Sequence, residues 1–152
     1  MTSHTHPEDI RQLFALQRQA SRAQVEVPLL VRRERLLRLQ KLIDENAPVL
    51  AAAVQADFGM RSQRLTEVAD FFVLRAQLAH VLKKLSKWMK PRRARTPLYL
   101  MPASAHVQTQ PLGVVGIISP WNYPVQLAMG PAIDALVAGN RVNIKTSEIT
   151  PH

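Results

Sequence analysis

The stretch Pro111–Gln126, PLGVVGIISPWNYPVQ, narrows the possible folds more than any other part of the chain. Val114, Val115, Ile117 and Ile118 form a short β-branched run bounded by Gly113 on one side and Ser119-Pro120 on the other. That composition predicts a buried parallel strand. Ser119 to Pro124 then place two prolines, two aromatics and an amide in one strand-to-helix turn, the position at which an open α/β sheet presents its ligand. A helical pattern over Val125–Ala138 follows, Gly139-Asn140 supply a left-handed stop, and Arg141–Lys145 reads as a second strand. Strand, turn, helix and strand make a βαβ unit, so the fold class is α/β. Gly113 and Gly116 precede and interrupt the strand. They are therefore not a G-x-G-x-x-G fingerprint, whose glycines follow the strand and open the helix.

Upstream, the pattern is helical. Pro7 sits before a first turn containing Glu8 and Asp9, and a helix to about Val25 would put Leu13, Leu16 and Ala20 on one face. After Pro28, Leu36, Leu39, Ile43, Ala47, Leu50 and Val54 keep a 3-4 spacing. Pro48 predicts a break or kink there, with Asn46 capping a new helix that ends at Gly59. A third helix, from about Ser62 to Met89, would turn Leu65, Ala69, Phe72, Ala76, Ala79 and Leu82 inward before Pro91 terminates it. Then the period changes. Leu98–Met101 and Ala105–Thr109 read as two short strands of a hairpin joined through Pro102-Ala103-Ser104. A lone hairpin is marginal in water and needs something to pack on. The chain thus divides into a helical layer, 1–95, a hairpin, 96–110, and a βαβ unit, 111–152.

Charge and cysteine content exclude several functions. No apolar run approaches the roughly 20 residues needed to span a bilayer, and Met1–Pro7 is a polar tail without the apolar core of a signal peptide. The simplest expectation is a cytoplasmic protein. The formal net charge is +9, much of it in Lys83, Lys84, Lys87, Lys90, Arg92 and Arg93 and in Arg32, Arg33, Arg35, Arg38 and Lys41. Such clusters can attract nucleic acid, but no recognition motif accompanies them, and solvated helix faces are the expected reading. There is no cysteine, hence no disulfide and no thiolate metal site. His4 and His6 lack further ligands at useful spacing, and no metal site is expected.

Two motifs, in order, carry a resemblance. Pro120-Trp121-Asn122-Tyr123-Pro124 follows the first strand, and Lys145-Thr146-Ser147-Glu148, with Thr150-Pro151 after it, follows the second. In both, the chain resembles the N-terminal portion of the aldehyde dehydrogenase superfamily. The phrases QPLGVVGIISPWNYP and AGNRV, with the basic helix end around Trp88, look most similar to its coniferyl aldehyde dehydrogenase branch. The resemblance implies the first βαβ unit of an incomplete Rossmann-like NAD(P)-binding domain. It also implies a hairpin belonging to an oligomerisation arm, and hence a homo-oligomer.

The resemblance further implies roles for individual residues. Asn122 would donate its side-chain N–H to the oxyanion that forms when an aldehyde is attacked, though an Asn here is also a natural helix cap. Ile118, Ser119, Pro120 and Trp121 would lie along the cofactor. Trp121 and Tyr123 would wall the substrate path or fill the core. Lys145, Ser147 and Glu148 would meet the adenosine ribose. A carboxylate at Glu148 disfavours a 2′-phosphate and so favours NAD, with Lys145 partly offsetting this toward NADP. Thr146 stands where the family often has proline. Family members use a cysteine thiolate as nucleophile and a glutamate to activate water, and both lie beyond the matched region. These residues alone are therefore expected to be inactive, the rival expectations being an interaction module that pairs with a longer relative and a basic nucleic-acid binder.

Overall fold

A computed structural model describes residues 6–152; His4 and most of the polar N-terminal tail lie outside them. Helix α1, Pro7–Ala23, starts one residue earlier than expected, with the His6 ring nitrogen accepting the Glu8 N–H at 3.4 Å. Its expected apolar face is not the one it packs with. Leu13 and Leu16 are exposed, whereas the Gln17 amide donates to the Val142 carbonyl at 3.2 Å and to Asn143 Oδ1 at 2.7 Å. The polar stripe of α1 satisfies sheet groups that would otherwise be unpaired.

Helix α2, Leu29–Phe58, runs without a break through Pro48. Its inward residues are those read from the spacing: Leu36, Ile43, Ala47 and Val54 are buried. Pro48 lies on the exposed outer side, where water can satisfy the carbonyl deprived of its donor and where a helix curves convexly anyway. Asn46, expected to cap, instead donates to the Leu42 carbonyl at 2.7 Å. The helix ends at Gly59, as expected, with φ 65°, a value that favours glycine.

The third helical run comprises α3, Gln63–Thr66, a π-helical turn over Glu67–Phe72, and α4, Val73–Trp88. Here the expected face is wrong. Leu65 and Phe72 point outward, and the buried set is Thr66, Asp70, Phe71, Leu74, Leu78, Val81 and Leu85. The wide π turn admits an extra residue, so that the consecutive Asp70 and Phe71 both lie inside. A carboxylate in the apolar stripe is what obscured the true register. The core joins Leu36, Ile43 and Val54 of α2 to Phe71, Leu74, Leu78 and Leu85, and to Val125 and Ile133 from the crossover helix.

The hairpin is also re-paired. Strand β1, Arg92–Ala94, runs antiparallel to β2, Ala105–Val107, with Arg93 opposite His106. Leu98–Leu100, expected as a strand, is instead a 3₁₀ turn inside the connection. Pro97 and Pro102 flank it and withhold ladder donors, so pairing moves to the proline-free segment before it. The basic clusters are not wholly solvated either. Arg32 is buried, donating to the Val27 carbonyl and the Val137 carbonyl at 3.0 Å each.

The βαβ unit is as read from the sequence. Strand β3, Val114–Ile118, pairs in parallel with β4, Arg141–Lys145, from Val114 opposite Arg141 to Ile118 opposite Lys145. Helix α5, Pro124–Val137, connects them and packs on α2 and α4. The strands are covered less completely than expected: within β3 only Ile117 is buried, and Ile118 is 82 % exposed. Helix α5 closes in a Schellman motif, Asn140 N–H to the Ala135 carbonyl at 2.9 Å and Gly139 N–H to Leu136 at 3.0 Å. Gly139 has φ 90°, and a Cβ there would stand 2.8 Å from Arg32 Cζ. Gly139→Ala is therefore expected to destabilise the chain by roughly 1–3 kcal/mol from backbone strain alone, read as a lower urea midpoint at unchanged m-value.

Candidate active site

The carboxyl ends of β3 and β4 bring the two sequence motifs together. The Ser119 N–H, first residue of the turn, donates to the Lys145 carbonyl at 2.9 Å. The Pro-Trp-Asn-Tyr-Pro turn and the Lys-x-x-Glu segment are thus neighbours on one edge. Lys145 Nζ forms an ion pair with Glu148 and donates to the Thr146 carbonyl at 3.0 Å. Ser147 Oγ accepts the Ile149 N–H at 3.2 Å. Both Lys145 and Glu148 are exposed.

The expected site residues divide by accessibility. Ile118, Pro120, Trp121 and Asn122 are exposed, whereas Ser119 is buried and its hydroxyl is engaged with the Pro120 and Pro124 carbonyls, each at 3.2 Å. Trp121 leans on Phe58, ring centroids 6.1 Å apart. Asn122 does not cap α5; Tyr123 occupies the cap position and offers no side-chain bond. Asn122 is exposed, while its backbone carbonyl accepts a hydrogen bond from a part-buried donor. The turn lies outside the clefts lined by Arg32, Met89 and Gln108 and by Phe14, Arg22 and Leu112.

Two residues that sequence reading missed hold this turn. Arg61 Nη1 donates to the Asn122 carbonyl at 2.7 Å, and its Nη2 meets Asp70 Oδ2 at 2.7 Å. The other Asp70 oxygen accepts the Gln126 N–H at 2.9 Å, in the first turn of α5. Asp70 thereby caps a helix from another element, with its charge at the positive end of that helix. The Arg61 guanidinium lies over the Tyr123 ring at 4.8 Å and over Phe58 at 5.1 Å, a stacking that its planar group favours. The pair is nearly sealed from water, with side chains 7 % and 0 % exposed. Burial pushes the Asp70 carboxyl above the usual carboxylate range, opposed by the Gln126 N–H and by Arg61. A signal existed: Asp70 interrupts the apolar positions Phe71, Leu74 and Leu78, and a buried acid requires a cation nearby.

Comparison with known proteins decides the lineage. The aldehyde dehydrogenase family profile matches residues 2–152. The chain belongs to the aldehyde dehydrogenase family. It is 45 % identical over 139 residues to a probable coniferyl aldehyde dehydrogenase of Pseudomonas aeruginosa, covering 91 % of this chain and 29 % of that protein. With the coniferyl aldehyde dehydrogenase of a Pseudomonas species it shares 43 % identity over 122 residues, 80 % of this chain and 25 % of that protein. Among solved structures, the substrate-bound state of Staphylococcus aureus AldH superposes with a TM-score of 0.88 at 31 % identity, covering 93 % of this chain and 31 % of that one. The chain therefore spans less than a third of the length of these relatives. As in other aldehyde dehydrogenases, the matched portion is a helical layer followed by small sheets. Among the described residues, no helix is long and apolar enough to cross a membrane.

Proposed function

We propose that these 152 residues supply the opening portion of an NAD(P)-dependent aldehyde dehydrogenase acting on coniferyl-type aldehydes, with Asn122 as oxyanion donor. One observation carries the reading: the turn that contains Asn122 and the Lys145–Glu148 pair both leave the carboxyl edge of two parallel strands, linked through the Ser119 N–H and the Lys145 carbonyl. An aldehyde carbonyl seated at that edge gains negative charge on oxygen under nucleophilic attack. A side-chain N–H held there by an anchored backbone stabilises that charge without reorganising.

NAD, when bound, supplies the hydride acceptor. The donor set fits its ribose: Glu148 offers carboxylate acceptors and Lys145 an ammonium donor, both exposed beside Ile118, with Ser147 between them. Pro120 and Trp121 would border the cofactor, and Ser119 would meet it through its backbone. The Glu148 charge favours NAD over NADP by repelling a 2′-phosphate. We place the assembled enzyme in the cytoplasm as a homo-oligomer, the β1–β2 arm with its exposed Leu98 and Tyr99 contributing to the contact.

The 152 residues contain no cysteine, so a thiolate nucleophile must come from chain outside them. The purified chain is expected to give no aldehyde-dependent nicotinamide reduction. Joined in frame to the complementary remainder of the Pseudomonas aeruginosa relative, it is expected to oxidise coniferaldehyde. Turnover by the cysteine-free chain itself would overturn the assignment, as would an inactive but folded chimera.

A further inference from the structure

We propose that Arg61 and Asp70 are positioning residues whose joint hold on the Asn122 carbonyl and the Gln126 N–H fixes the direction in which the Asn122 side chain leaves the turn. The geometry points to a clamp rather than to a surface ion pair. Arg61 spends one nitrogen on the turn and another on Asp70, at 2.7 Å each, while Asp70 spends its second oxygen on the start of α5. Both ends of the segment from Asn122 to Gln126 are therefore tied to one buried pair. Aromatic rings adjoin the clamp: the guanidinium lies over both Phe58 and Tyr123, and Trp121 leans on Phe58.

Holding the Asn122 carbonyl and the Gln126 N–H restricts the backbone torsions between them, and with these the direction of the Asn122 Cα–Cβ bond. The fork matters as much as the charge, since a lysine ammonium at this site could balance Asp70 but lacks the second in-plane nitrogen that reaches Asn122. The purpose of the clamp rests on the reading of Asn122 as oxyanion donor. Its existence does not, and the two are separable by experiment.

The test uses this chain in a Trp88→Phe background, so that Trp121 is the only indole, with residue-resolved amide exchange and acrylamide quenching. In Arg61→Met, Gln126 is expected to exchange at least about tenfold faster, the loss of a hydrogen bond to a properly held charged acceptor. Trp121 should become more quenchable under native conditions, while core amides such as that of Leu78 lose protection only in step with the variant's overall loss of stability. In Arg61→Lys, Gln126 is expected to stay protected while Trp121 loosens, a split that simple loss of packing would not produce. If Gln126 exchange and Trp121 quenching are unchanged in both variants, the clamp is overturned whether or not Asn122 serves an aldehyde. Should Arg61→Met fail to fold, Arg61→Lys decides alone: the split supports the clamp, and its absence refutes it. Loss of chimera activity on Asn122→Ala bears only on the oxyanion reading.

Discussion

Replacing Asn122 by alanine is expected to lower kcat of the chimeric aldehyde dehydrogenase by about 10²- to 10³-fold, the usual effect of removing one oxyanion donor. On the proposed assignment KM should move little, because the amide would bond to charge that develops only as the carbonyl is attacked, and kcat/KM should fall in step with kcat. Asn122→Asp is the informative companion. It keeps size and shape, lacks the N–H, and adds a negative charge where one is forming, so it should be at least as slow as alanine. The folded state should hardly notice either change, since the side chain is exposed and Tyr123, not Asn122, occupies the cap of α5. A loss of less than about threefold in kcat with normal folding would remove Asn122 from the chemistry. A large loss of stability would instead restore the reading of this residue as a structural cap.

How much of this was legible in the sequence depended on whether the deciding contact was local. The βαβ unit was readable to within a residue, because β-branched strands, the Gly139 stop and the prolines of the turn act through their own backbone conformations. Gly59 was readable for the same reason. What failed was decided at a distance. The register of α3 and α4 turned on burying Asp70 against Arg61, nine residues apart in sequence and joined through a π turn. The orientation of α1 turned on Gln17 reaching β4, more than a hundred residues away. Periodicity ranks apolar faces, and it passes over a polar residue whose partner lies on another element. The site shows the same division: Asn122, Lys145 and Glu148 stood out in their motifs, whereas Asp70 left only an interrupted apolar stripe as its signal and its pairing with Arg61 shows only in three dimensions.

Arg61→Met is expected to destabilise the chain by about 3–5 kcal/mol, the usual consequence of removing one partner from a sealed ion pair. The size follows from what is left behind. Asp70 would keep a carboxylate with no cation in a site with no solvent exposure, and the Asn122 carbonyl would lose its donor. Asp70→Leu is expected to fall in the same range, since it strands the Arg61 guanidinium and uncaps α5 at Gln126. The double variant Arg61→Met/Asp70→Leu removes both charges and should recover part of the loss, leaving the two backbone groups unpaired at about 1–3 kcal/mol each. The sum of the single effects should therefore exceed the double by a coupling of roughly 2–4 kcal/mol, measured from urea midpoints followed by circular dichroism at matched m-values. Additivity within about 0.5 kcal/mol would mean that the pair is energetically independent despite its geometry. A positive coupling has a functional corollary. A turn with the role proposed for this one must resist being pulled toward water, and a buried charge pair is a stiff tether because neither partner can leave without stranding the other.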